Sequence, residues 1–197
     1  MNKILYVIDK DTSKDYKYDI EENTIIYHFS INSSSNVEIN LVKDNIEVYY
    51  YYNNINYDDN EFNIKVNHKC SNTHSEIYNH GVNVKKNKLT YFVEGIVPKS
   101  SSKCICNQDN QIINMSDGKS SIWPNLLIDN YYVDSSHSAY IGKFSEEKIF
   151  YLMSRGISRS DASGLLLNSF LINSDSIEED KIEEFLKEIK KIWEVVK

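Results

Sequence analysis

The stretch Val133 to Phe170, VDSSHSAYIGKFSEEKIFYLMSRGISRSDASGLLLNSF, changes its period midway, and that change decides how the chain is read. Its opening, VDSSHSAYIG, is a polar strand end carrying His137, flanked by small residues that permit close approach of another group. From Ser145 the pattern becomes helical. Ser145 predicts an N-cap, and Glu146 and Glu147 follow in the first turn, where the positive end of the helix dipole favours them. Ile149, Phe150, Leu152 and Met153 form the apolar face of this first helix. Gly156 ends it at a position that wants a left-handed residue, with Ile157 placed for the accompanying apolar contact. Ser158 or Ser160 opens a second helix, with Ala162, Leu165, Leu166 and Phe170 at helical spacing.

Downstream, Ser176 and Glu179 form a capping-box pattern for a third helix. Its stripe, Ile182, Phe185, Leu186, Ile189, Ile192, Trp193 and Val196, must lie on something, and the chain's own core is the first choice. Upstream, apolar residues fall at period two from Lys3 to about Val133. Ile25, Tyr27, Phe29 and Ile31 share a face, as do Val37, Ile39 and Leu41, then Ile46, Val48, Tyr50 and Tyr52. Phe62, Ile64 and Val66, and later Leu89, Tyr91 and Val93, repeat the pattern. These runs predict half-buried strands joined by Asn, Asp, Ser and Gly turns, with no helical pattern between them. That pattern argues against a doubly wound α/β fold, while a sandwich, a barrel and a solenoid all remain open.

The 197-residue chain, 41% apolar, is long enough for one sizeable core. Its net charge of -7, with no basic stripe, argues against nucleic acid as a partner. The start, MNKILYVIDKD, is too short in apolar residues for a signal-peptide core or a membrane span, so a cytoplasmic protein is expected. Three cysteines, Cys70, Cys104 and Cys106, do not form a disulfide framework and suit a reducing compartment. Only Arg155 and Arg159 among the 22 basic residues are arginine, and they stand four apart at one helix junction. Two readings stay open there: fork-shaped hydrogen bonding to carbonyls or a carboxylate, or two solvated cations.

Candidate chemistry is sparse. His68, Cys70, His74 and His80 lie close in sequence, but their spacing fits no zinc pattern and a strand scatters them over both faces. Cys104 and Cys106 point to one side of a strand, able to hold a thiophilic metal or simply to fill a core. No phosphate loop, GxSxG or HExxH is present, so the chain is not expected to be an enzyme that hydrolyses nucleotides.

The segment Gln108 to Phe170 resembles the C-terminal end of the SufB/SufD family of iron-sulfur cluster assembly proteins. The resemblance is carried by Pro124, Leu126 and Ile128, by His137, Ala139, Ile141 and Gly142, by Glu147 and the run FYLMSRGI (Phe150 to Ile157), and by Ala162, Leu166 and Phe170. It implies a mainly β chain with a right-handed parallel β-helix core at 1–143 and a C-terminal α-helical subdomain at 144–197, together one compact unit. It also implies helices that dock on a SufC-like ATPase through Phe150, Tyr151, Arg155, Gly156 and Ile157. The β-helix then pairs with a SufB-like subunit or with a second copy.

Counting back from Pro124, the cluster-assembly Cys of SufB falls on Asp109, and the Glu after the motif His falls on Ser138. Both groups are absent, and His137 takes the place of the His that SufD contributes at the subunit interface. The resemblance therefore implies a SufD-like scaffold with no stably bound cofactor and an iron-sulfur cluster present only in passing. Two rivals stand beside it. One is a self-sufficient homodimeric cluster carrier using Cys104, Cys106 and His137 as ligands. The other is a β-solenoid interaction module of unrelated role.

Overall fold

The computed structural model describes residues 2–172 and 177–195. Among the described residues eleven strands come first, three α-helices and a short 3-10 turn follow, and every strand pairing is parallel. Odd strands build sheet A in the order β1 (Lys3–Lys10), β3 (Thr24–Ile31), β5 (Glu47–Asn56), β7 (His74–Asn83), β9 (Cys104–Asn114) and β11 (Val133–Gly142). Even strands build sheet B from β2 (Ser13–Ile20), β4 (Ser34–Leu41), β6 (Asn60–His68), β8 (Lys88–Val97) and β10 (Lys119–Ile128). The chain alternates between the sheets at every strand, so each coil stacks on the one before. This is a β-solenoid, and it resolves the choice among all-β architectures that alternation alone left open.

The bends are made by residues with little steric objection to a positive φ. Asn32, Asn45 and Asn72 take φ values of 49°, 60° and 53°, joined by Asp11 and Lys103. Side-chain amides then tie neighbouring coils: Asn36 Nδ2 donates to Asp15 and Asn63 Nδ2 donates to Asn36, at 2.7 and 2.9 Å. Asparagine-rich runs that look like loops therefore lie inside strands. Asn53, Asn54 and Asn56 are wholly buried in β5.

Two large apolar cores and a small third cluster result. Inside the solenoid lie Ile26, Val37, Ile39, Leu41, Val48, Tyr50, Tyr52, Phe62, Ile64, Val66, Leu89, Tyr91 and Val93, facing inward from both sheets. The second core covers the outer face of sheet A. There the row Ile31, Ile55, Val82 and Ile113, in register across β3, β5, β7 and β9, meets α2 (Arg159–Leu171) and α3 (Glu183–Val195). Strands of this sheet are thus buried on both faces. In β3, Ile26 and His28 point into the solenoid while Tyr27, Phe29 and Ile31 lie under the helices, which corrects the half-buried reading.

The third helix rests on the chain's own core, as its stripe suggested. Ile182, Phe185, Ile189 and Ile192 are buried, and the Phe185 ring lies 4.9 Å from that of Phe29. Its start differs from expectation. A 3-10 turn at Glu179–Ile182 precedes α3, with no side-chain cap at Glu178. Ser176 and Val196 lie outside the described residues.

The second helix is also turned from the expected stripe. Ala162, Gly164, Leu167 and Leu171 face inward, whereas Leu165 is exposed. The cause is Gly164, whose bare backbone lies flat on the Trp193 ring. A Cβ there would come within 2.3 Å of ring carbons. Gly164→Leu should therefore overpack the α2–α3 contact and lower stability by about 1–3 kcal/mol. Urea unfolding followed by tryptophan fluorescence measures it, and an unchanged midpoint contradicts this packing.

Candidate functional site

Two regions carry the sequence candidates: the last strands of sheet A, and the junction of α1 (Glu146–Ser154) with α2. In sheet A, side chains stand in straight rows set by the register. An inward row runs Leu5, Ile26, Tyr50, Ile77, Gln108 and His137. β11 is the terminal strand of sheet A, with no further coil stacked on it, and the last member of this row emerges exposed. That is why His137 is accessible although it sits at an inward position.

The next outward row runs Tyr6, Tyr27, Tyr51, Tyr78, Asp109 and Ser138. The four tyrosine rings follow one another at centroid distances of 5.3, 5.2 and 4.9 Å. Asp109 and Ser138, found separately by counting along the sequence, are cross-strand partners, and Ser138 Oγ donates to Asp109 Oδ1. The other carboxylate oxygen accepts from Gln111 Nε2 at 2.9 Å and lies 3.4 Å from His80 Nε2. His80 and these donors hold the Asp109 carboxyl down to about 2 against the cost of burial. His80 Nδ1 donates to the carbonyl of Phe170 at 3.0 Å, and the two rings stack at 4.7 Å. His80 thus joins the end of α2 to the Asp109–Ser138 pair. Sequence spacing did not single it out for this, because its partners come from other coils and from a helix.

The cysteines lie elsewhere. Cys104 and Cys106 face inward on β9, buried among Val97, Leu126, Ile128 and Val133. Asp109 stays opposite Ser138, so no register slip brings either thiol to that position. Burial pushes the Cys106 thiol up to about 11, and Thr73 Oγ1 donates to Cys104 Sγ at 3.3 Å. His68 is buried between Thr73 and Ser75, and burial pushes it down to about 4. His74 pairs with Glu76 on the outer face, so the histidines near Cys70 are indeed scattered. Among the described residues, no three His, Cys, Asp or Glu side chains converge as a metal site. Under native conditions at pH 8, iodoacetamide should modify Cys70 and spare Cys104 and Cys106, with all three reacting in urea. Native modification of Cys106, read by peptide mass, contradicts this burial.

At the helix junction the local rules are followed closely. Ser145 Oγ accepts from the Lys148 N–H, capping α1. Gly156 has φ 86°, and the N–H groups of Gly156 and Ile157 donate back to the carbonyls of Met153 and Leu152, closing a Schellman turn. Ser158 caps α2 by accepting from the Asp161 N–H. Arg159 donates through one guanidinium nitrogen, Nη2, to both oxygens of Glu146 at 2.7 and 2.8 Å and so ties the two helices, so that this arginine hydrogen-bonds a carboxylate without the two-nitrogen fork. Arg155 stays at the surface, its guanidinium over the Tyr151 ring at 5.3 Å.

The apolar side chains of α1 are mostly not used in packing. Ile149 is buried, but Phe150 is 73% exposed, and Tyr151, Met153 and the α2 residue Leu165 are exposed as well. The arrangement presents exposed apolar side chains on a two-helix hook, together with a polar strand edge bearing His137. Among the described residues, no helix is long and apolar enough to cross a membrane.

Comparison with known proteins bears on both regions. The family model for the SufBD core domain of the SUF system for FeS cluster assembly matches residues 22–170, from the turn before β3 to the end of α2. An iron-sulfur cluster assembly SufBD family protein of Pyrococcus horikoshii is 33% identical over 122 residues, covering 58% of this chain and 26% of the relative. The iron-sulfur cluster assembly proteins SufD and SufB of Bacillus subtilis are 29% and 33% identical, over 56% and 54% of this chain and 25% and 23% of theirs. The chain thus spans about a quarter of the length of the curated relatives it matches. The matched segment includes every strand from β3 to β11 and both helices of the hook, and the chain belongs to the SufB/SufD family of the SUF iron-sulfur cluster assembly system.

Proposed function

We propose that the chain is a SufD-like scaffold subunit of a SUF-type assembly complex, acting by binding partners and not as an enzyme in its own right. The observation that carries this reading is the set of exposed apolar side chains at the α1–α2 junction, where Phe150, Tyr151 and Leu165 stand exposed on helices joined by a Schellman turn and the Arg159–Glu146 ion pair. Exposed aromatic residues beside an arginine are the composition of a protein interface. The partner assigned to this face is a SufC-like ABC-type ATPase, gripping Phe150, Tyr151 and Arg155 with the turn at Gly156 and Ile157.

The second binding surface is the uncovered edge of β11. It receives a SufB-like subunit or a second copy of the chain, and places His137 at the contact. An imidazole there is a good borderline ligand for iron, and its neighbours Ser136, Ser138 and Ala139 leave room for a partner's thiolate. The cluster is cargo built between the subunits. Asp109 and Ser138 supply neither thiolate nor a second carboxylate, which favours the supporting role over the cluster-building one. The burial of Cys104 and Cys106 favours a scaffold over a self-sufficient carrier. A cytoplasmic, reducing setting suits all three free thiols.

Anaerobic reconstitution with iron and sulfide tests the reading by visible absorbance. The chain alone should stay without a cluster, and the mixture with a SufB-like subunit and the ATPase should gain one. His137→Ala should lower that yield several-fold with an unchanged circular dichroism spectrum. A stable cluster on the chain alone supports the carrier, and an unchanged yield in the variant removes His137 from the site.

A further inference from the structure

Where β11 hands over to α1, the outer face of sheet A and the helical hook leave a cavity of 430 Å³. That volume is within the range of small-molecule pockets. The charged and titratable groups lining it include His80, Lys143 and Lys148, and no carboxylate lines it. This is unexpected in a chain with 29 acidic and 22 basic residues. Neither lysine has an ion-pair partner among the described residues. Two carboxylates on the flanking elements are held elsewhere: Glu146 by Arg159, and Asp109 by His80, Gln111 and Ser138. Aromatic rings also line the cavity. Phe170 lies flat on His80, and Phe144 meets Phe170 edge-on at 6.2 Å.

A site lined by unpaired cations and by aromatic rings selects a ligand with an anionic head and an apolar body. We propose that this cavity binds a small organic oxyanion, a carboxylate or a phosphate monoester, with Lys143 and Lys148 on the charged head and the Phe144 and Phe170 rings against the apolar body. The ligand lies against the His80 ring, which also holds the end of α2 and the Asp109 carboxylate, so occupancy stabilises the seating of the hook. The charged part of the interaction weakens with salt.

The full chain alone is the test sample, with phenyl phosphate, benzoate and inorganic phosphate as probes. Calorimetric titration at low salt should show saturable binding of at least one organic probe at millimolar concentration or below. Inorganic phosphate should bind about tenfold more weakly or not at all, since it has no apolar body to set against the rings. Phenyl phosphate outbinding benzoate assigns the head as a phosphate ester, and the reverse assigns a carboxylate. The double variant Lys143→Glu with Lys148→Glu should lose about tenfold or more. Lys86→Glu, a charge change in the β7–β8 connection away from the cavity, should leave binding unchanged. Absence of saturable binding by both organic probes overturns the proposal. So does undiminished binding in the folded double variant, or inorganic phosphate binding as tightly as the organic probes.

Discussion

Asp9→Ala should destabilise the protein by about 3–5 kcal/mol, the range for removing one member of a buried charged network. Asp9 is wholly buried at the mouth of the first coil, where its carboxylate gathers groups from β2, β3 and β4. Tyr16 Oη donates to Oδ1 at 2.6 Å and Lys14 Nζ reaches the same oxygen at 3.1 Å. His28 Nε2 and Ser35 Oγ meet Oδ2 at 2.9 and 3.3 Å, and the other nitrogen of His28 is 2.7 Å from Tyr50 Oη. Truncating Asp9 leaves several buried polar groups without their acceptor. Equilibrium urea unfolding gives the value, and a loss below about 1 kcal/mol, typical of an ordinary substitution, contradicts this account of the first coil.

The same cluster sets an acid response. Burial alone raises the Asp9 carboxyl, but hydrogen bonds from His28, Tyr16 and Lys14 outweigh it and hold the group far below the usual carboxylate range. Its contribution to stability is complete above the unfolded carboxylate value of about 3.9 and is lost as pH falls through that region toward the folded value. Burial also lowers His28, so the folded state favours the neutral imidazole and begins to lose stability below about pH 6.5. Both groups act in one direction. The urea midpoint should fall steadily from pH 7 to pH 4, and a flat profile contradicts the sign.

Phe150→Asp should weaken capture of the SufC-like ATPase by about 2 kcal/mol or more, roughly thirty-fold, and Arg155→Glu by a similar amount. Neither side chain stabilises the fold to a comparable degree. Phe150 is 73% exposed, and among the described residues the Arg155 guanidinium interacts with the Tyr151 ring and hydroxyl. The variants should therefore melt within a few degrees of the wild type while losing the partner. Surface plasmon resonance with immobilised ATPase reads the affinity. Retained affinity in both variants moves the docking surface elsewhere.

Strands and helices were legible wherever a local period exists. Phe62, Ile64 and Val66 alternate with polar residues and do line the solenoid interior, and the caps at Ser145, Gly156 and Ser158 behave as local rules dictate. The stacking of strands into coils was not legible from period alone, because Asn36 and Asn63, or Asp109 and Ser138, meet only across a full coil. It came instead from the resemblance carried by FYLMSRGI. Helix α2 was misjudged because periodicity weighs large side chains, whereas its contact with α3 is made through Gly164. Asp9, His28 and Tyr16 gave no signal for a related reason: they come from three different strands, and nothing in their spacing marks them as neighbours. The candidate site was half visible. Asp109, Ser138 and His137 were found by position, but His80, which links two of them to α2, was not.

Co-expression of the wild-type chain with an ABC-type ATPase and a SufB-like subunit, followed by native mass spectrometry, tests the scaffold assignment most directly. The account predicts one assembly containing all three proteins, with the ATPase lost from this subunit when Phe150 is replaced by Asp. A chain that remains alone in the presence of both partners contradicts it.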